Sequence, residues 1–213
     1  MKAENIDFNG ELSHIQLDAL KEIGNIGAGH AASSLSALLT KKIDMTVPSV
    51  QVLEFNEVMK LAGGAETEAV GIGVRIEGDV PGSMFFILPP HQANTFVVQL
   101  LGSNDNRCSS ELRESALQEL GNIITGSYLS SLADFTRLNL APSVPVVVRD
   151  MVGAIVSAGL IERSQYRDDA IVIETLLEAR GCHHEQVKGH FFLFPDPDFH
   201  EKLFPSLGLH HDK

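Results

Sequence analysis

Displaced by 97 residues, this chain of 213 lies on itself. Asp18-Ala-Leu-Lys-Glu22-Ile-Gly24-Asn25-Ile-Gly-Ala-Gly29 falls on Ser115-Ala-Leu-Gln-Glu119-Leu-Gly121-Asn122-Ile-Ile-Thr-Gly126. Ten of the 18 positions from Asp18 to Leu35 are identical, and Val47-Pro48 falls on Val144-Pro145 without a gap. The period exceeds the roughly 20–50 residues of solenoid repeats, so it implies two fused copies of one unit, not an array. Two such copies are expected to pair about a pseudo-two-fold axis, as identical subunits do in a dimer.

Each copy reads as the same order of elements. Ser13-x-x-Gln16 has the form of a capping box opening a long helix that runs to about Leu39. Its counterpart runs from near Ser110 to about Phe135. A β-rich segment follows each helix around its Pro (Met45 to Phe55, Leu138 to Arg149), then a short apolar helix (Asn56 to Leu61, Met151 to Leu160). Two strands come next, Ala69 to Glu77 with Ser83 to Leu88, and Ala170 to Ala179 with Gly189 to Phe194. Gly78-Asp79-Val-Pro-Gly82 suits a hairpin connection. Both copies end in a short helix before a Leu-Gly pair, Leu101-Gly102 and Leu207-Gly208. The fold class is therefore α/β: a pseudo-two-fold duplicated unit with a largely antiparallel sheet and two long exposed motif-bearing helices. The expectation is one domain over residues 1–213, with repeats at about 11–102 and 107–208 meeting in the polar stretch Gly102 to Asn106.

Composition narrows the function. Apolar residues make up 44% and charged residues 21%, as in ordinary globular chains. Acidic residues outnumber basic ones 28 to 16, and a net charge of −12 repels phosphate backbones, which argues against nucleic acid. The same charge means that an acidic phosphoprotein partner needs a local docking patch. Cys108 and Cys182 cannot build a disulfide framework, and their sparsity suits a reducing cytoplasm. Met1 to His14 has Glu4, Asp7 and Glu11 and no apolar run, so it does not read as a signal peptide. The longest uncharged apolar stretch, Met151 to Ile161, is far short of the ~20 residues of a membrane span. The expected location is the cytoplasm.

At about 100° per residue, Leu17, Leu20, Gly24, Gly27, Ala28, Ala31, Leu35 and Leu38 share one side of the first helix, the expected core face. Asp18, Glu22, Asn25 and Gly29 form a separate polar stripe, repeated as Ser115, Glu119, Asn122 and Gly126. A solvated face would explain one such stripe. Between the copies, however, core positions drift (Gly27 to Ile124, Ala28 to Thr125, Ala31 to Tyr128) while Glu, Asn and the trailing Gly stay. That contrast favours function. Gly24 and Gly29 each cost about 1 kcal/mol relative to Ala inside a helix, so their repetition suggests close approach of another backbone, from within the chain or from a partner.

Asp/Ser-x-x-x-Glu-x-x-Asn with a Pro after 22 further residues, present twice, resembles the CheC-type chemotaxis phosphatases. Asp18, Glu22, Asn25 and Pro48 fill one copy, and Ser115, Glu119, Asn122 and Pro145 the other. The resemblance spans essentially the whole chain. It implies hydrolysis of the aspartyl phosphate on a phosphorylated CheY-like response regulator. In this family's terms, Asn25 and Asn122 orient the attacking water and Glu22 and Glu119 contact a lysine of the regulator. Asp18, Ser115, Gly29 and Gly126 are supporting positions, and Pro48 and Pro145 structural markers. No cofactor of its own is expected, Mg²⁺ being held by the regulator. A CheD-type receptor deamidase is the further partner the resemblance suggests. The alternative is a non-catalytic module that binds or sequesters the regulator or the deamidase. An added switch-protein module like that of FliY-like relatives is not expected and, unlike the shorter CheX-like ones, this sequence carries two motifs.

Three weaker signals have plainer readings. Gly24-Asn-Ile-Gly27-Ala-Gly29 looks like a phosphate loop but lies inside a helical pattern and has no following Lys. Cys182-His183-His184 with His190 lacks a second ligand pair at zinc spacing and reads as a turn; His210-His211 reads as a tail. Phe85-Phe86 and Phe191-Phe192 fall on corresponding strands and read as core.

Overall fold

The computed structural model of the chain describes residues 12–101, 109–161, 169–179, 185–196 and 199–209. The two motif helices are α1, His14–Leu39, and α4, Ser110–Thr136. Ser13 opens α1 with a complete capping box: its hydroxyl accepts from the Gln16 N–H, and the Gln16 side chain accepts from the Ser13 N–H at 2.9 Å. Ser109 caps α4 by accepting from the Leu112 N–H, without the reciprocal half of the box. Each helix stops at a residue in the left-handed region, Thr40 (φ 51°) and Arg137 (φ 61°), whose N–H closes the last turn.

After α1 come β1 (Ile43–Thr46), β2 (Val50–Glu54), α2 (Phe55–Leu61), β3 (Glu68–Gly78), β4 (Gly82–Leu88) and α3 (Pro90–Leu101). After α4 come β5 (Leu140–Pro142), β6 (Val146–Met151), α5 (Val152–Ile161), β7 (Asp169–Ala179), β8 (Glu185–Pro195) and α6 (Phe199–Ser206). The order expected of each copy is met element for element. Gly78 turns the β3–β4 connection with φ at +113°, and a Cβ there would lie 2.1 Å from the carbonyl oxygen of Asn139. Only glycine fits that position.

The eight strands form one sheet in the order β1-β7-β8-β4-β3-β5, with β2 continuing along β7 and β6 along β3. All seven strand pairings are antiparallel. Exchanging the copies reverses this order onto itself, which is the pseudo-two-fold. The copies are interlaced: β1 and β2 of the first pair with β7 of the second, and β5 and β6 of the second with β3 of the first. At the centre β4 meets β8, where Phe86 lies opposite Phe191 with ring centroids 4.4 Å apart. Arg75 of β3 also reaches Asp196 beyond β8 through two guanidinium hydrogen bonds.

Helices cover both sides of the sheet. On one side α1, α3, α4 and α6 close a core with Ile72, Phe86, Ile171 and Phe191; on the other α2 and α5 close a smaller one with Ile87, Val172 and Phe192. The long strands β3, β4, β7 and β8 alternate between the two cores, as the two-residue period requires. Among the described residues, no helix is long and apolar enough to cross a membrane.

The expected core face of α1 needs correction at its edges. Leu38 is 38% exposed and Leu17 only half-buried, while Gln16, Ile23, Ala32 and Leu39 are buried. At about 100° per residue the buried stripe winds around the helix by roughly 80° from its first turns to its last. A fixed stripe therefore misplaces residues at both ends. The winding follows the neighbours: mid-helix α1 lies on α4, and its last turns meet β1 and α3.

Candidate functional site

The predicted stripes both face outward. Asp18, Glu22 and Gly29 are exposed on α1, and Ser115, Glu119 and Asn122 on α4; Asn25 and Gly126 are half-buried. The sheet side of each helix is consumed by the core, so the stripe opposite is what remains for a partner. Glu22 and Asn25, like Glu119 and Asn122, stand three residues apart and so are neighbours on the helix surface. The two motifs are carried by two helices packed on one another.

The site is convex. The apolar cavity among Leu35, Leu39, Phe86, Leu88, Phe96 and Leu177, about 30 Å³, is a packing gap of the main core and includes no stripe residue. The Gly24–Gly29 run lies wholly within α1, so it is no phosphate loop. Cys182, His183, His184, His210, His211 and the Gly102–Asn106 junction lie outside the described residues; His190 sits half-buried on β8.

The structure separates the glycines by role. Among the described residues, a Cβ at Gly29 or Gly126 would meet nothing within 4 Å, so no described neighbouring backbone approaches those positions. At Gly24 a Cβ would make ordinary contact with Val47 at 3.5 Å. Within the chain, close backbone approach occurs at Gly27, where α4 comes within 3.0 Å of the Cβ position; at Gly29 the expected approach is left to a partner.

The two sites differ in a way that the ungapped alignment conceals. Val47 is buried against Gly24 and Pro48 is exposed, whereas Val144 is 78% exposed and Pro145 is buried against Gly121. The second segment has slipped by one residue: β5 ends and β6 begins one residue sooner than β1 and β2 do. Ser143 takes up the slack by accepting from the Arg75 N–H and donating its own N–H to the Arg75 carbonyl. In the first copy the anchor follows the Pro: Ser49 donates its hydroxyl to Glu174 at 2.9 Å.

The slip changes the asparagines. The Asn25 amide accepts from the Val47 N–H at 2.9 Å and donates to the Val47 carbonyl at 3.1 Å and the Lys21 carbonyl at 3.0 Å. Asn122 is exposed, and no backbone of the 144–145 segment takes its amide. Sequence reasoning missed Val47 as a participant, although its recurrence before each Pro marked the segment.

The sequence profile of the CheC-like family matches residues 15–52 and 112–149, one motif helix and its following segment in each copy. The CheY-P phosphatase CheC of Bacillus subtilis is 48% identical over 205 residues, covering 94% of this chain and 97% of that protein. This chain belongs to the CheC-like family. The flagellar motor switch phosphatase FliY of Bacillus subtilis is 32% identical over 140 residues, 64% of this CheC-like chain and 36% of FliY. The crystal structure of Thermotoga maritima FliY shares the fold, with a TM-score of 0.72 at 21% identity over 92% of this chain and 98% of that one.

Proposed function

We propose that this chain is a response-regulator phosphatase of chemotaxis that hydrolyses the aspartyl phosphate of a CheY-like protein. The observation that carries the reading is the presentation of both Glu-x-x-Asn stripes on outward helix ridges, in a chain so similar to a CheY-P phosphatase. An exposed helix ridge suits an enzyme that enters its partner's active site.

An acyl phosphate is already activated, and the regulator supplies Mg²⁺ and charge-stabilising groups. What remains is to hold water in line with phosphorus. A carboxamide both donates and accepts, so Asn25 or Asn122 can fix that water without a tuned pKa. Glu22 or Glu119, one turn away, makes a charge-assisted contact to a lysine of the regulator and sets the pose. Asp18 and Ser115 support the ridge; the Ser115 hydroxyl donates to the Glu111 carbonyl at 2.9 Å. Gly29 and Gly126 leave space one turn beyond each Asn for the partner's surface. Pro48 and Pro145 shape the segment beside each motif. This chemistry calls for no cofactor of the chain's own. A CheD-type deamidase is a further partner on this reading.

The test is phosphate decay from a CheY-like regulator with wild type and with Asn25→Ala/Asn122→Ala combined. Decay accelerated by wild type and restored to the intrinsic rate by the double variant is the expected result. Tight binding without acceleration makes the chain a sequestering module instead.

A further inference from the structure

We infer that the first motif is latent in the free protein, its Asn25 amide locked onto the main chain of Val47, and that turnover runs mainly through Glu119 and Asn122. The inference rests on the phosphatase reading and assigns unequal work to its two sites.

An amide has two N–H donors and one carbonyl acceptor. In Asn25 the nitrogen donates to both the Val47 and Lys21 carbonyls, and the oxygen accepts from the Val47 N–H. No donor is left for a water. The orientation is unambiguous, because a flipped amide would set donor against donor and acceptor against acceptor at Val47. Release is opposed by the surroundings. Val47 lies one residue beyond the end of β1 and is 1% exposed, so its main-chain groups have no ready replacement from solvent. The segment is also pinned from the far side, by Ser49 on Glu174 and by the Glu174 N–H on the Ser49 carbonyl at 3.1 Å.

The second motif lacks this lock because of the one-residue slip. Burying Pro145 against Gly121 turns Val144 outward, and a proline has no N–H to offer an amide. Asn122 is left exposed, beside an exposed Glu119.

Two measurements on the full chain test this. Side-chain amide hydrogen exchange by NMR should show the Asn25 protons exchanging at least about tenfold more slowly than those of Asn122. Phosphate decay from a CheY-like regulator should slow about tenfold or more with Asn122→Ala and stay close to the wild-type rate with Asn25→Ala. Equal exchange at the two amides, or an Asn25→Ala loss as large as that of Asn122→Ala, overturns the inference. If wild type does not accelerate decay at all, the phosphatase reading falls, while the exchange measurement still decides whether the lock exists.

Discussion

Gly27 of α1 lies directly against the main chain of α4 at Tyr128: a Cβ on Gly27 would stand 3.0 Å from the Tyr128 Cα and 3.2 Å from the Ser127 carbonyl oxygen. The positions that drift between the copies therefore drift in complement. Gly27, Ala28 and Ala31 keep α1 slim where Ile124, Thr125 and Tyr128 make α4 bulky, and all six are buried. Close packing of the two motif helices depends on that division.

Gly27→Ala should thus destabilise the protein. Alanine gains about 1 kcal/mol of helix propensity, but the neighbour is helix backbone that cannot swing aside, and overpacking costs about 1–3 kcal/mol. A net loss of about 1 kcal/mol in urea unfolding is expected. A gain would mean that the helices separate easily.

Gly29→Ala and Gly126→Ala should do the opposite. Neither added methyl meets a described residue within 4 Å, so each variant should gain about 0.5–1 kcal/mol of stability. On the proposed reading Gly126→Ala also slows phosphate decay severalfold, because the methyl stands one turn beyond Asn122 where the regulator docks. A more stable and fully active Gly126→Ala would remove that glycine from the interface.

Glu119→Gln keeps the shape of the side chain and removes its charge. If Glu119 meets a lysine, the half-saturating regulator concentration should rise about five- to tenfold with a smaller change in maximal rate. The effect should shrink as salt is added. A loss confined to maximal rate would place Glu119 at the chemistry instead.

Tyr128 supplies a pH signature of the core. Burial pushes its hydroxyl up to about 12, opposed by the hydrogen bond to Thr175 at 3.2 Å. The unfolded chain ionises first, near pH 10, so this contribution is intact below pH 10 and lost as pH rises toward 12. The loss is on the order of 2–3 kcal/mol. Tyr128→Phe should flatten stability between pH 10 and 12, measured by thermal unfolding across that range.

Much of the fold was legible because its signals are local. Ser13 and Gln16 mark a helix start by their own hydrogen bonds, and the Gly78–Gly82 turn marks a hairpin. The outward Glu-Asn stripes follow from helical period alone once the apolar side is assigned to the core. Leu38 was misplaced because the winding of the buried stripe depends on neighbours that are distant in sequence. The contact at Gly27 was invisible for the same reason, since a glycine shows its purpose only through what lies against it.

By itself the sequence determined the two copies, the order of elements within each, and the pair of motifs that a partner would meet. Those properties depend on residues within a few turns of one another. The tertiary structure alone decided that the copies interlace through β7 and β3, that Val47 and Pro145 occupy matching places despite an ungapped alignment, and that Asn25 is bound while Asn122 is exposed. Register is set by which side chain fills the hollow at Gly24 or Gly121 and by which distant strand receives the chain. Both are outcomes of packing between residues far apart in sequence.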